Sequence, residues 1–120
     1  MPPRTWRQRV EDIIDAVERI LDLTVAADLD AFSANPMLHD AVLYNFVVIG
    51  EAASHVPPDV QARHPTVPWR DIRGMRNFVA HVYHGVNDEI VWDTITDDLP
   101  PLVSKLRRVL AEEPDNTGDE

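Results

Sequence analysis

Within eight residues, Arg76 to Tyr83, the chain gathers a fixed cation, a titratable imidazole and a phenol, in the order Arg76-Asn77-Phe78-Val79-Ala80-His81-Val82-Tyr83. Together they can do phosphate chemistry. A guanidinium pairs bidentately with phosphodiester oxygens, an imidazole titrates near neutral pH, and a phenol donates a hydrogen bond or accepts a transferred group. None of these roles requires a metal. The surrounding charge supports an anionic ligand: between Arg63 and His84 lie Arg63, Arg70, Arg73 and Arg76 against a single acid, Asp71, with His64, His81 and His84 among them.

The elements that must position these side chains all read as helices. From Thr5 to about Ala27, Val10, Ile13, Ile14, Val17, Ile20 and Leu21 recur at helical spacing. Asn35-Pro36 supplies a cap and a first-turn proline for a second helix over about 36–55. Pro57-Pro58 ends it, and one short helical turn is expected around Asp59 to Arg63 in the proline-rich connection to Pro68. A third long helix, with Thr66 as its cap, should run from near Pro68 to Gly85 and carry the eight residues. The last opens after Asn87 and is expected to bend or split at Pro100-Pro101. No stretch alternates with period two, so the expected architecture is an all-α bundle of four main helices plus a short one.

Composition sets the outer limits. At 120 residues the chain is sized for one domain, expected over 1–111, with the acid-rich stretch 112–120 as a disordered, solvated tail. It has no cysteine, which removes disulfides and thiolate chemistry, and no apolar run long enough for a membrane span; a cytoplasmic protein is expected. A net charge of −10 argues against general nucleic-acid binding, leaving the basic stretch as an island.

On an ideal third helix, Arg76 and His81 point roughly 140° apart, so a single straight helix does not aim both at one phosphate. A second surface is needed, and a symmetric homodimer is the expected solution. Gly74 adds to this expectation, because a glycine inside a helix costs about 1 kcal/mol against alanine and implies close approach of another group to the backbone.

The spacing Arg76-x4-His81-x-Tyr83 resembles the R-x4-6-H motif of HEPN domains, in the tyrosine-extended form of HepT-like toxins of prokaryotic toxin-antitoxin systems. The similarity extends to Ile49-Gly50-Glu51-Ala52-Ala53, to Pro68-Trp69-Arg70-Asp71-Ile72-Arg73-Gly74-Met75-Arg76-Asn77, to Glu89-Ile90-Val91-Trp92 and to Asp98-Leu99-Pro100-Pro101-Leu102, covering about positions 8–110. This resemblance implies a HEPN-like all-α homodimer with a cleft at its interface, and a metal-independent ribonuclease in which Arg76 and His81 are the catalytic pair. It also implies a partner, a minimal nucleotidyltransferase antitoxin that attaches AMP to Tyr83. Asn77, Glu51 and Arg73 are the candidate supporting residues.

The chemistry can be argued from the residues alone. RNA cleavage without a metal needs the 2′-OH deprotonated, the leaving 5′-oxygen protonated and the phosphorane charge held; His81 can move the protons while Arg76 holds the oxygens. Adenylylation of Tyr83 would add negative charge and bulk beside Arg76. Glu51 and His55, or His81 and His84, have spacings that could ligate zinc, but with neither Cys nor an HExxH pattern no metal and no cofactor is expected. His64 and His84 read as surface groups, and Trp69, Trp92 and Phe46 as core unless exposed to stack bases. The competing reading is a non-catalytic helical module whose cleft holds a nucleotide or partner.

Overall fold

The computed structural model describes residues 3–80 and 87–113. Every regular element among them is helical. Helix α1 (Trp6–Thr24) begins at a reciprocal capping box: the Thr5 hydroxyl accepts from the Gln8 amide and the Gln8 side chain accepts from the Thr5 amide. Its Val10, Ile13, Ile14, Val17 and Ile20 are buried, the stripe the sequence spacing predicts.

A short α2 (Leu29–Ala34) follows, capped by the Asp28 carboxylate on the Ala31 amide, an element the sequence reading did not anticipate. Asn35 both ends α2 and caps α3 (Pro36–Ser54), its side chain accepting from the Met37 and Leu38 amides. Phe32 of α2 is fully buried. Helices α1, α3 and α8 form the centre of the bundle, with Phe46, Ile49, Ala52 and Ala53 of α3 facing inward. The expected short turn is α4 (Pro58–Arg63), opened by proline at its first position.

The third long helix departs from expectation. Helix α5 (Trp69–Gly74) is capped by Pro68 with no side-chain hydrogen bond, so Thr66 is not its cap. The chain then turns at Met75 and Arg76, where the Met75 amide bonds three residues back to Ile72 and the Phe78 amide to Met75, before α6 (Asn77–Ala80) begins. Residues beyond Ala80 in the expected helix lie outside the described residues.

Helix α7 (Asp88–Asp93) is capped by the Asn87 side chain and carries Asp88 and Glu89 in its first turn, where carboxylates complement the helix dipole. It passes through a π-helical turn, Thr94–Asp98, into α8 (Leu99–Glu112). The expected split at Pro100-Pro101 takes this form: neither proline has an N–H to donate, and the wider turn lies immediately before them. The stretch assigned to a tail from residue 112 begins as ordered structure, because Glu112 ends α8 and Glu113 bonds back to the bundle. Among the described residues no helix is long and apolar enough to cross a membrane.

Candidate functional site

The site begins with a missing side chain on α3. Gly50 is buried at the point where the turn after α5 crosses α3, and a Cβ placed there would lie 2.7 Å from the Arg76 Cβ and 2.8 Å from its amide nitrogen. Only glycine admits that backbone so closely. Phe78 pins the same crossing by packing edge-on against Phe46, with ring centroids 5.0 Å apart. These contacts place Arg76 beside the next residue of α3, and its Nη1 donates to the Glu51 Oε1 at 3.1 Å. Both side chains are about half exposed, so the pair faces solvent and is open to exchange for a dissolved anion.

Gly74, the glycine flagged by the sequence, does not do this. Among the described residues a Cβ built there meets no atom within 4 Å, and Gly74 instead borders an open groove of about 350 Å³ with Arg70, Met75, Phe78 and Asp98. Among the described residues the close approach is at Gly50 rather than at Gly74. The signal for Gly50 was its place inside the well-capped α3, immediately before the candidate Glu51.

Of the other candidates, Asn77 is exposed at the first position of α6, next to Arg76. Arg73 is not gathered with Arg76 and Glu51, since its guanidinium donates to the Gln61 side-chain oxygen of α4. That partner is neutral, and among the described residues no carboxylate pairs with Arg73 within 4.0 Å. His81 and Tyr83, expected as catalyst and modification site, lie outside the described residues, as does His84. The turn at Met75 and Arg76 also removes the premise of the 140° divergence, which assumed one straight helix through both residues.

The basic island is divided by its partners. Arg63 is engaged by two carboxylates, with its Nε and Nη2 at 2.8 and 2.6 Å from Glu113 and its Nη1 3.3 Å from Asp59. His64, expected at the surface, is buried, and its Nε2 lies 3.0 Å from Glu113. The hydrogen bond from Arg63, aided by His64, holds the Glu113 carboxyl at about 2, well below its ordinary 4.5. Arg7 covers the end of α8, donating to the Leu110 and Glu113 carbonyls. This is a structural clasp joining α4 to the end of α8, separate from Arg76.

The aromatic candidates for base stacking are largely accounted for by packing. Phe46 and Trp69 are buried, Trp69 donating through Nε1 to the His64 carbonyl, and Trp92 packs on Phe32 with centroids 5.6 Å apart. Glu51 and His55 do not converge on a metal: the His55 Nδ1 is 2.8 Å from the Glu51 backbone carbonyl while the Glu51 carboxylate is on Arg76. Among the described residues no three His, Cys, Asp or Glu side chains form a metal-binding group.

Comparison with known proteins gives a consistent family picture. Residues 13–109 match the family described as "Ribonuclease HepT-like". The chain is 32% identical to a protein named "Putative RNase" from Caldanaerobacter subterraneus subsp. tengcongensis, over 92% of this chain and 98% of that one. It is also 32% identical to a "Probable ribonuclease HepT" of Thermococcus cleftensis, over 88% and 96% of the two chains. A "Putative RNase" of Methanocaldococcus jannaschii is 30% identical over 93% of each. No solved structure gives a significant match.

Proposed function

The chain belongs to the HepT-like ribonuclease family, and from that premise we propose that it is a metal-independent endoribonuclease toxin that cuts RNA with Arg76 and His81 and is neutralised by a nucleotidyltransferase that adenylylates Tyr83. The observation that carries the reading is the exposed Arg76, pressed onto Gly50 and held by Glu51, a solvent-facing guanidinium whose partner can be displaced by a phosphodiester. Arg76 binds the non-bridging oxygens of the scissile phosphate and stabilises their growing charge, His81 takes the proton of the 2′-OH or supplies one to the leaving 5′-oxygen, and Glu51 holds Arg76 while the site is empty. Asn77 supports Arg76 from the next position. Arg73 acts as a nearby unneutralised charge rather than as a second ligand of the same phosphate.

The homodimer is part of this proposal. Met37 and Tyr44 are 84% and 67% exposed, and with Glu51 they recur every seven residues along one face of α3. A second copy seated on that face would cover both apolar side chains and close a cleft beside Arg76; light scattering at micromolar concentration should give twice the monomer mass.

The decisive experiment is RNA cleavage in excess EDTA by the wild type and by His81→Ala. The expected result is cutting by the wild type and a fall of about 10²- to 10⁴-fold in the variant. Cleavage that needs an added divalent ion sinks the mechanism. If no RNA is cut while nucleotide binding persists, the protein is the non-catalytic module instead.

A further inference from the structure

The connection after α4 meets α8 at a small cavity of about 150 Å³ lined by Thr66, Ser104, Lys105 and Arg108. Lys105 and Arg108 stand three apart on α8, so their side chains are neighbours on its surface. Arg4, Arg63, Arg76 and Arg107 each lie within 4.0 Å of a carboxylate. Among the described residues Lys105 and Arg108 do not, which they share with Arg7, Arg9, Arg19, Arg70 and Arg73; what sets them apart is that both line one cavity. Thr66 adds a hydroxyl to the two cations, and the Ser104 hydroxyl is turned onto the Pro101 carbonyl at 3.1 Å. The carbonyls ending α8, which would repel an anion, are covered by Arg7.

The cavity, about 150 Å³ and open to solvent on one side, has room for a phosphate group. Two cations and a hydroxyl around such a space are the donors a phosphodiester takes up. We propose that this cavity binds a non-scissile phosphodiester of the RNA chain, a backbone contact a few nucleotides from the one at Arg76; the proposal rests on the ribonuclease reading for its choice of polyanion. Thr66 precedes α5, which spans about 9 Å over its six residues before the turn that presents Arg76. Arg73, tied only to neutral Gln61, lies in sequence between them. The contact fixes where the RNA lies without reading its sequence.

The test is fluorescence anisotropy with a labelled, single-stranded, fully 2′-O-methylated RNA, which lacks the attacking hydroxyl and cannot be cut, measured across a salt series. Relative to wild type, the Lys105→Gln/Arg108→Gln double variant should bind at least five-fold more weakly at low salt, with a slope of log affinity against log salt reduced by about 0.7 for the lost contact. Arg107→Gln, which removes an arginine already paired with Glu18, should leave the slope at the wild-type value. An unchanged affinity and slope in the double variant overturns the proposal, as does an equal loss in Arg107→Gln, which would show a general charge effect. Inorganic phosphate provides the second arm: if it shifts the Thr66 and Ser104 amide signals while the double variant binds RNA as wild type does, the cavity takes free phosphate and the RNA assignment fails. A wild type that shows the expected slope difference but cuts no unmodified RNA supports this subsite while removing the ribonuclease reading, so the two failures are distinct.

Discussion

Gly50 and Arg76 are in backbone contact across the bundle: a methyl group on Gly50 would sit 2.7 Å from the Arg76 Cβ, closer than real Cβ contacts come. The placement of the candidate catalytic arginine is thus set by the absence of one carbon on a helix 26 residues earlier in the chain.

Gly50→Ala should therefore push Arg76 off α3. Helix propensity alone would favour alanine by about 1 kcal/mol, but overpacking against a backbone nitrogen at 2.8 Å costs about 1–3 kcal/mol. The expected outcome is a lower Tm together with a loss of at least ten-fold in RNA cleavage. Gly74→Ala is the matched control, because nothing described lies within 4 Å of the added carbon; its Tm should rise or stay level. A Gly50→Ala protein as stable and active as wild type would show that Arg76 does not depend on this contact.

Glu51→Gln removes the charge that competes with phosphate for Arg76. Because the ion pair is half exposed, its worth to stability is about 0–1 kcal/mol and the Tm should barely move. KM for RNA should fall several-fold with kcat within about three-fold of wild type. A large loss of kcat at unchanged KM would instead make Glu51 a participant in the chemistry.

Co-expression with a cognate nucleotidyltransferase should add one or more AMP units to the intact protein, read by mass spectrometry, and abolish cleavage. The Tyr83→Phe variant should carry no adduct and stay active in the presence of the partner. An adduct of the same mass on that variant moves the modification to another residue.

Acid stability should report the clasp at the end of α8. Glu113 is depressed to about 2 from 4.5 by Arg63 and His64, so its contribution is fully present above about 4.5 and is lost as pH falls through about 2. Glu113→Gln should lower the Tm at neutral pH and flatten its fall over that interval, the two proteins converging near pH 2. Parallel Tm curves across the interval would separate acid unfolding from this carboxylate.

The sequence disclosed what local chemistry controls. The Asn35 cap, the Thr5 start, the buried stripe of α1 and the helical turn ending at Arg63 all follow from neighbours a few residues away. Less legible was whatever depended on distant partners. The turn at Met75 and Arg76 forms against Gly50, and His64 is buried because Glu113, 49 residues on, reaches back to it. Helix α2 escaped notice because six residues are too few to show a period, although Asp28 is a recognisable cap. For the site, the residue types were readable, while the pairing of Arg76 with Glu51, and the separation of Arg73 from both, required the crossing of α5 and α3.

The π-helical turn at Thr94–Asp98, where the Leu99 amide reaches back five residues to the Thr94 carbonyl, encloses one residue more than an α-helical turn does. Val91 before it, Ile95 within it and Leu99, Leu102 and Leu106 after it are all buried, at spacings of four, four, three and four residues that keep one helical face on the core. The Thr94 and Thr96 hydroxyls donate to the Ile90 and Trp92 carbonyls, so this turn is tied to the preceding helix through side chains as well as backbone.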